Sequence, residues 1–164
     1  MMNKNNVIQF YPIGTIHSPF KERKGMPIQP KGAIDIKGKV CVFPEYREGL
    51  EDLAGFSHIV LLYYFHMSSG YSLKVVPFLD NVERGLFSTR APRRPNGIGL
   101  SVVELTSVDG CELHILGVDI LDGTPLLDIK PHVPVFDTPP QFRTGWLEGK
   151  AGKSAGKNSD SRFI

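Results

Sequence analysis

The sequence predicts a mainly β protein, built as a small closed or nearly closed β-barrel, a sandwich being the other architecture its pattern allows, with helix confined to short turns. Three observations lead there. Thirteen prolines and seventeen glycines cut the 164 residues into short segments. Those segments are rich in Val, Ile, Phe and Tyr, which favour pleated, half-buried strands. No G-x-G-x-x-G occurs in the chain, so the fold is expected to be non-Rossmann. Many short strands with few helices leave edges that closure removes.

Hydrophobic residues make up 41% and charged residues 22%, the balance of an ordinary folded domain rather than a disordered or fibrous one. We expect one domain over residues 1–148, followed at 149–164 by a mobile basic tail of Gly, Lys and Ser with almost nothing to bury. A net charge of +2 leaves attraction for nucleic acid to a local patch. Cys41 and Cys111 are far apart, with no metal or redox spacing, and read as buried thiols of a reducing compartment. The stretch "MMNKNNVIQFYP" has no apolar leader, and the longest apolar run, Ile59 to Phe65, is far short of the roughly 20 residues that span a bilayer. A cytoplasmic location is expected.

The elements follow in order. Val7 to Ile16 reads as a first strand, and "HSPFKERKGMPIQPKG" as a long loop, because its prolines deny helix and central-strand pairing. Ala33 to Phe43 is a second strand region, folded about Gly38. "PEYREGLEDLAGF" suits a helical turn or two with Leu50 and Leu53 on one face. His58 to Phe65 reads as a strand buried on both faces. "LSVVELTSVDGCELHILGVDIL" reads as a hairpin turning at Asp109-Gly110, both at positive φ, with Leu113 and Ile115 sharing one face with Cys111, and Glu112 and His114 pointing the other way.

Several site motifs can be set aside. "AGKS" in the tail lacks the glycine a P-loop needs, that position being Leu147. His17, His58, His66, His114 and His132 form no metal-binding pair, so no metal is expected. Asp119, Asp122 and Asp128 fall close together in "DILDGTPLLDIKP". Carboxylates there can accept bonds from ribose hydroxyls or hold a divalent cation, while Asp122-Gly123 can equally be a plain turn.

The strongest local feature is "GLFSTRAPRRPNGIGLS" at residues 85–101. With Arg84 just before it, the stretch brings Arg90, Arg93 and Arg94 together. Guanidinium groups bind phosphate or carboxylate through paired hydrogen bonds. Pro92 and Pro95 stiffen the backbone, lowering the entropy lost on binding, and Ser88, Thr89 and Asn96 add directional hydrogen bonding. An anion or RNA site is a better reading than a solvated basic turn.

The same stretch resembles the signature of the TrmO-type (TsaA-like) S-adenosylmethionine-dependent tRNA methyltransferases. "IGTIHSPF", "GMPIQP", "GFSHIVLLYYFH" and "LDGTPLLDIKP" are similar to the family's other blocks, in the same order, from about Ile13 to Asp137. The resemblance implies a β-barrel that binds S-adenosyl-L-methionine, a homodimer, and N6-methylation of threonylcarbamoyl-adenosine beside the anticodon in tRNA. It implies cofactor contacts from Gln29, Pro30 and Lys31, from His66 and Met67, from Arg90 and Leu100, and from Leu121, Asp122, Gly123 and Thr124. Arg93, Arg94, Asn96 and Lys130 would face RNA. Two departures stand out: Gly97 replaces a family proline, and His132 replaces the tyrosine of Lys-Pro-Tyr. Larger bacterial members continue into a second C-terminal domain that engages tRNA, whereas this sequence ends in its basic tail.

Methyl transfer needs donor and acceptor aligned and water excluded, and the acceptor nitrogen must lose a proton. His66 and Asp128 are the candidates for that catalytic role. Two rival classes are a module that binds S-adenosylmethionine or RNA without turnover, and a metal-dependent phosphate-ester hydrolase using Asp119, Asp122 and Asp128. A different methyl acceptor is a further alternative.

Overall fold

The computed structural model describes residues 7–22, 25–27, 32–150 and 159. Strands β1 (Gly14–His17), β2 (Lys37–Val42), β3 (His58–Tyr64), β4 (Lys74–Val75), β5 (Arg84–Gly85), β6 (Ile98–Asp109), β7 (Glu112–Leu116) and β8 (Thr124–Pro131) precede one short helix, α1 (Pro134–Asp137). Six of them close a barrel in the order β1-β2-β7-β6-β3-β8, and β4 with β5 forms a separate two-stranded ribbon. All pairings are antiparallel, and β8 closes the circle on β1 through Gly14–Leu126 and Ile16–Thr124.

Alternation of side chains dictates the core. Ile16, Val40, Ile59, Leu61, Leu113 and Leu126 are fully buried inside the barrel, each separated along its strand from residues on the outer face. The 3-10 turn Pro44–Leu50, with Pro44 at its start, and the next turn, Leu53–Gly55, bring Leu50 and Leu53 to one end of that core. Backbone approaches closely at β6, where a Cβ on Gly99 would lie 2.2 Å from the Tyr63 ring. Only glycine leaves that ring its place.

Three expectations are corrected. The first strand is only Gly14–His17, since Pro12 has no N–H to give a ladder and Val7 to Tyr11 lie exposed. β3 alternates between buried and more open positions, because in a barrel one face of each strand points outward. The β6–β7 hairpin turns one residue later than expected, at Gly110 and Cys111, with Gly110 alone at positive φ. The cause is a register shift between Leu105 and Ser107: the extra residue carries Val108, instead of Ser107, onto the core.

Of the expected tail, Gly149 and Lys150 belong to the described part, and Lys150 Nζ lies 3.1 Å from Asp80 Oδ1. Ser159 exchanges backbone hydrogen bonds with Gly25 and Met26.

Candidate cofactor and acceptor site

The arginine-rich loop is held over one end of the barrel by a small core of its own, in which Val75, Leu86 and Ala91 pack with Phe78. Its charges are divided among different tasks. Arg84 donates from Nε and Nη2 to Asp80 Oδ2 at 3.0 and 2.6 Å and lies 5.5 Å from the Trp146 ring. With Lys150, it holds the Asp80 carboxyl well below the usual range. Arg94 donates from Nη1 to the carbonyls of Thr89 and Ala91 at 3.1 and 3.3 Å, and its guanidinium sits 5.7 Å over Phe87. Arg93 is half-buried, with Nε fully enclosed. Arg90 and Asn96 are exposed.

Beneath this loop opens a cavity of about 810 Å³ whose walls include Phe78, Phe87, Trp146, Leu100, Arg90 and Asp119. That volume suits a nucleoside-sized ligand, since ligand pockets commonly span about 300–1,000 Å³ and combine apolar walls with a few polar groups. At its base runs a chain of hydrogen bonds. Tyr63 Oη and Ser101 Oγ are 3.0 Å apart, and Ser101 Oγ donates to Asp119 Oδ1 at 2.7 Å. Burial pushes the Asp119 carboxyl up to about 6, against the opposing pull of Ser101, its own backbone N–H and Arg90. Burial likewise raises the Tyr63 phenol, reinforced by the nearby Asp119 charge.

A second group assembles where β1 ends and β8 begins. Thr124 Oγ1 donates to the Leu121 carbonyl at 2.6 Å and stands 3.4 Å from His66 Nδ1. Asp122 gathers Lys21 Nζ, the backbone N–H of Ser18 and His17 Nδ1 around its carboxylate. These partners, Lys21 foremost, lower its pKa to about 2. Gly123 completes the turn at a φ of 74°.

The sequence-predicted residues therefore fall into distinct places. His66, Leu121 and Thr124 meet at the barrel end, with Asp122 and Gly123 in the same turn; Arg90 and Leu100 share the cavity wall. Met67 is exposed. Gln29, Pro30 and Lys31 lie outside the described residues. Asp128 pairs with Lys130 at 2.8 Å on the outer surface, 44% and 62% exposed. Asp119, Asp122 and Asp128 do not converge: among the described residues no group of three or more His, Cys, Asp or Glu could hold a metal ion. The hydrolase reading loses its geometric basis.

Sequence reasoning missed Tyr63, Ser101 and Trp146. Ser101 carried a readable signal, because it stands in phase with the inward-facing Val103 and Leu105, and a hydroxyl on an apolar face requires a partner. Tyr63 carried a weaker one, a phenol inside an apolar run. Trp146 lies beyond the patterned strands and had none.

A small antiparallel barrel, roofed by an arginine loop over an aromatic cavity, is thus a nucleotide- or anion-binding architecture of non-Rossmann type. The chain belongs to the tRNA-methyltransferase O N-terminal domain family, whose model matches residues 15–138. It is 54% identical over 158 residues to the protein named "Probable S-adenosyl-L-methionine-binding protein" in Pyrococcus abyssi, covering 96% of this chain and 86% of that one. It is 39% identical over 137 residues to the tRNA (adenine(37)-N6)-methyltransferase of Mus musculus, covering 78% of this chain and 31% of the mouse protein. The crystal structure of TrmO from Pseudomonas aeruginosa matches with a TM-score of 0.72 at 40% identity, over 86% of this chain and 63% of that one. The chain thus spans under two thirds of the named methyltransferases and most of the archaeal relative.

Among the described residues no helix is long and apolar enough to cross a membrane.

Proposed function

We propose that the protein is an S-adenosyl-L-methionine-dependent methyltransferase that methylates N6 of threonylcarbamoyl-adenosine next to the anticodon in tRNA. The observation that carries this reading is the family match across 15–138, which includes the arginine loop, most of the cavity wall and the His66–Thr124 corner. The mouse relative is named for methylation of adenine 37 of tRNA.

The residues present fit the cofactor. Its ribose hydroxyls need an acceptor, which the ionised Asp122 supplies. Its adenine needs an apolar slot, its carboxylate a cation such as Arg90. We assign the cofactor side to His66, Met67, Leu121, Asp122, Gly123, Thr124, Arg90 and Leu100, joined by Gln29, Pro30 and Lys31. When bound, S-adenosylmethionine supplies an electrophilic methyl on a sulfonium, an in-line displacement that calls for alignment rather than a metal.

Arg93, Arg94, Asn96 and Lys130 are assigned to the RNA side, Arg94 as the brace that shapes the loop through the Thr89 and Ala91 carbonyls and the others at phosphates, whose contacts position the substrate without reading its sequence. The exposed Val135, Phe136 and Phe142, at 86%, 83% and 71%, offer apolar surface for a second copy, in keeping with a homodimer. The setting is cytoplasmic, where tRNA is found.

The Pyrococcus relative, named for cofactor binding alone, favours a second reading, a module that binds S-adenosylmethionine without turnover. Incubation with methyl-labelled cofactor and total tRNA, followed by mass spectrometry of the nucleosides, separates the two. Label in N6-methyl-threonylcarbamoyl-adenosine is the expected result; tight cofactor binding with no label in tRNA rejects turnover.

A further inference from the structure

We propose that Asp119 is the catalytic residue that takes the proton from the acceptor nitrogen, in the cavity beneath the arginine loop, with Ser101 and Tyr63 as its positioning residues. The inference rests on the methyltransferase reading above. Its basis is geometric. Asp119 lines the same cavity as Arg90, Phe87 and Trp146, whereas Asp128 lies paired with Lys130 on the outer face of the barrel and His66 stands against Thr124 at the barrel end.

A carboxylate taken out of water costs several kcal/mol, and the fold supplies one end of it with an oriented donor. Ser101 Oγ fixes Oδ1 at 2.7 Å and is itself held by Tyr63 Oη at 3.0 Å. An ionised carboxylate has about four lone-pair sites, so capacity remains for a hydrogen bond from substrate. The groups facing Asp119 are Ser101 from β6, Tyr63 from β3 and Arg90 from the loop. Arg94 lines the same cavity but spends Nη1 on loop carbonyls, and Arg84 and Lys150 are taken by Asp80.

The chemistry asks for such a base. The acceptor nitrogen carries one hydrogen and a carbamoyl group that withdraws its electrons, so it is a poor nucleophile. As the nitrogen forms its new bond to the methyl carbon, the carbon–sulfur bond breaks with its electron pair going to sulfur, and the N–H proton passes to the Asp119 carboxylate. Atoms and charge balance: a sulfonium and a carboxylate become a thioether and a carboxylic acid. A base with pKa near the working pH does this best, and the raised value of Asp119, about 6, suits it.

Single-turnover methyl transfer to tRNA bearing threonylcarbamoyl-adenosine, followed from pH 5 to 8 as a convenient span about that value, tests the assignment. The wild-type rate should rise through about 6 and level off. Asp119→Asn should lose about 10²-fold or more and show no inflection, with cofactor affinity by calorimetry within about twofold. Ser101→Ala removes a donor that lowers the Asp119 pKa, so its limb should move to higher pH, as should the Asp119 carboxyl titration followed by carbon NMR in the cofactor-free protein.

Transfer by Asp119→Asn at the wild-type rate overturns the proposal. Should Asp119→Asn fail to fold, Ser101→Ala and Asp119→Glu decide, and an unmoved pH limb in both overturns it. A wild-type protein that binds cofactor but labels no tRNA defeats the methyltransferase reading itself, a different outcome from a wild type that labels tRNA while Asp119→Asn does so equally well.

Discussion

Trp146 donates its indole N–H to the carbonyl of Ser88 at 2.8 Å, bringing a residue from beyond the barrel strands onto the arginine loop. The same ring packs against the Arg84 guanidinium and forms part of the cavity wall. The segment after α1 is therefore a side of the cavity, and the loop beneath it is braced from outside as well as by its own prolines.

Trp146 is the only tryptophan in the chain, so its emission reports on that wall alone. A nucleoside or tRNA entering the cavity should quench or shift the fluorescence, with a concentration dependence matching affinity measured independently. Trp146→Ala should weaken acceptor binding about tenfold, in the range that base–aromatic stacking contributes, while leaving the melting temperature nearly unchanged, because the ring lies outside the barrel core. An emission that never responds to tRNA would show that the acceptor goes elsewhere.

Asp122 links the loop after β1 to the turn before β8, and its pH dependence has a definite sign. Its folded pKa, about 2, lies below the usual carboxylate value of about 3.9. The stability it contributes is thus complete above about pH 4 and lost as pH falls towards 2. Asp122→Asn should melt lower than wild type at pH 6, with the gap closing through that acidic window. At neutral pH the same variant should bind S-adenosylmethionine about tenfold more weakly, as expected for a lost charge-assisted hydrogen bond. Equal melting at pH 6 would deny the carboxylate its structural part.

The positive charges assigned to the RNA side should separate in a salt titration. Lys130 is exposed, so Lys130→Ala should lower the salt dependence of tRNA binding by about one unit of slope at most, the signature of a phosphate contact. Arg94 instead ties Thr89 and Ala91 through their carbonyls. Arg94→Ala should loosen the loop and weaken binding about tenfold at every salt concentration, with the slope little changed, and Arg94→Lys should not restore it because an ammonium lacks the planar fork. A lost unit of slope for Arg94→Ala would reassign that side chain to the RNA backbone.

What the sequence made legible follows from where the physics is local. The β6–β7 hairpin was readable because Val103, Leu105, Leu113 and Ile115 alternate along their own strands. Its turn was misplaced because the bulge between Leu105 and Ser107 goes with the packing of Val108 against the barrel core, which local alternation does not reveal. The arginine loop was visible as a cluster, and the pairing of Arg84 with Asp80 and of Arg94 with the Thr89 and Ala91 carbonyls is local, yet the placing of Arg90 near Asp119 and the reach of Lys150 to Asp80 depend on contacts between distant segments. Trp146 shows the limit most plainly, since its neighbours Ser88 and Arg84 are about sixty residues away.

Asp119 yields a test that needs no substrate. Its folded pKa, about 6, lies above the unfolded value of about 3.9, so the native state holds its proton more tightly and loses stability as pH rises between those values. Asp119→Asn removes the charge while keeping an acceptor oxygen for Ser101. It should therefore melt like wild type near pH 4 and be more stable above pH 6, by on the order of 2–3 kcal/mol for a shift of about two units. Calorimetric melting at several pH values measures this directly. A variant both more stable and unable to transfer a methyl group would mark Asp119 as a group kept at a cost in stability for its chemistry. One less stable at pH 8 would mean that the Tyr63–Ser101–Asp119 chain serves chiefly to hold β3, β6 and the segment before β8 together.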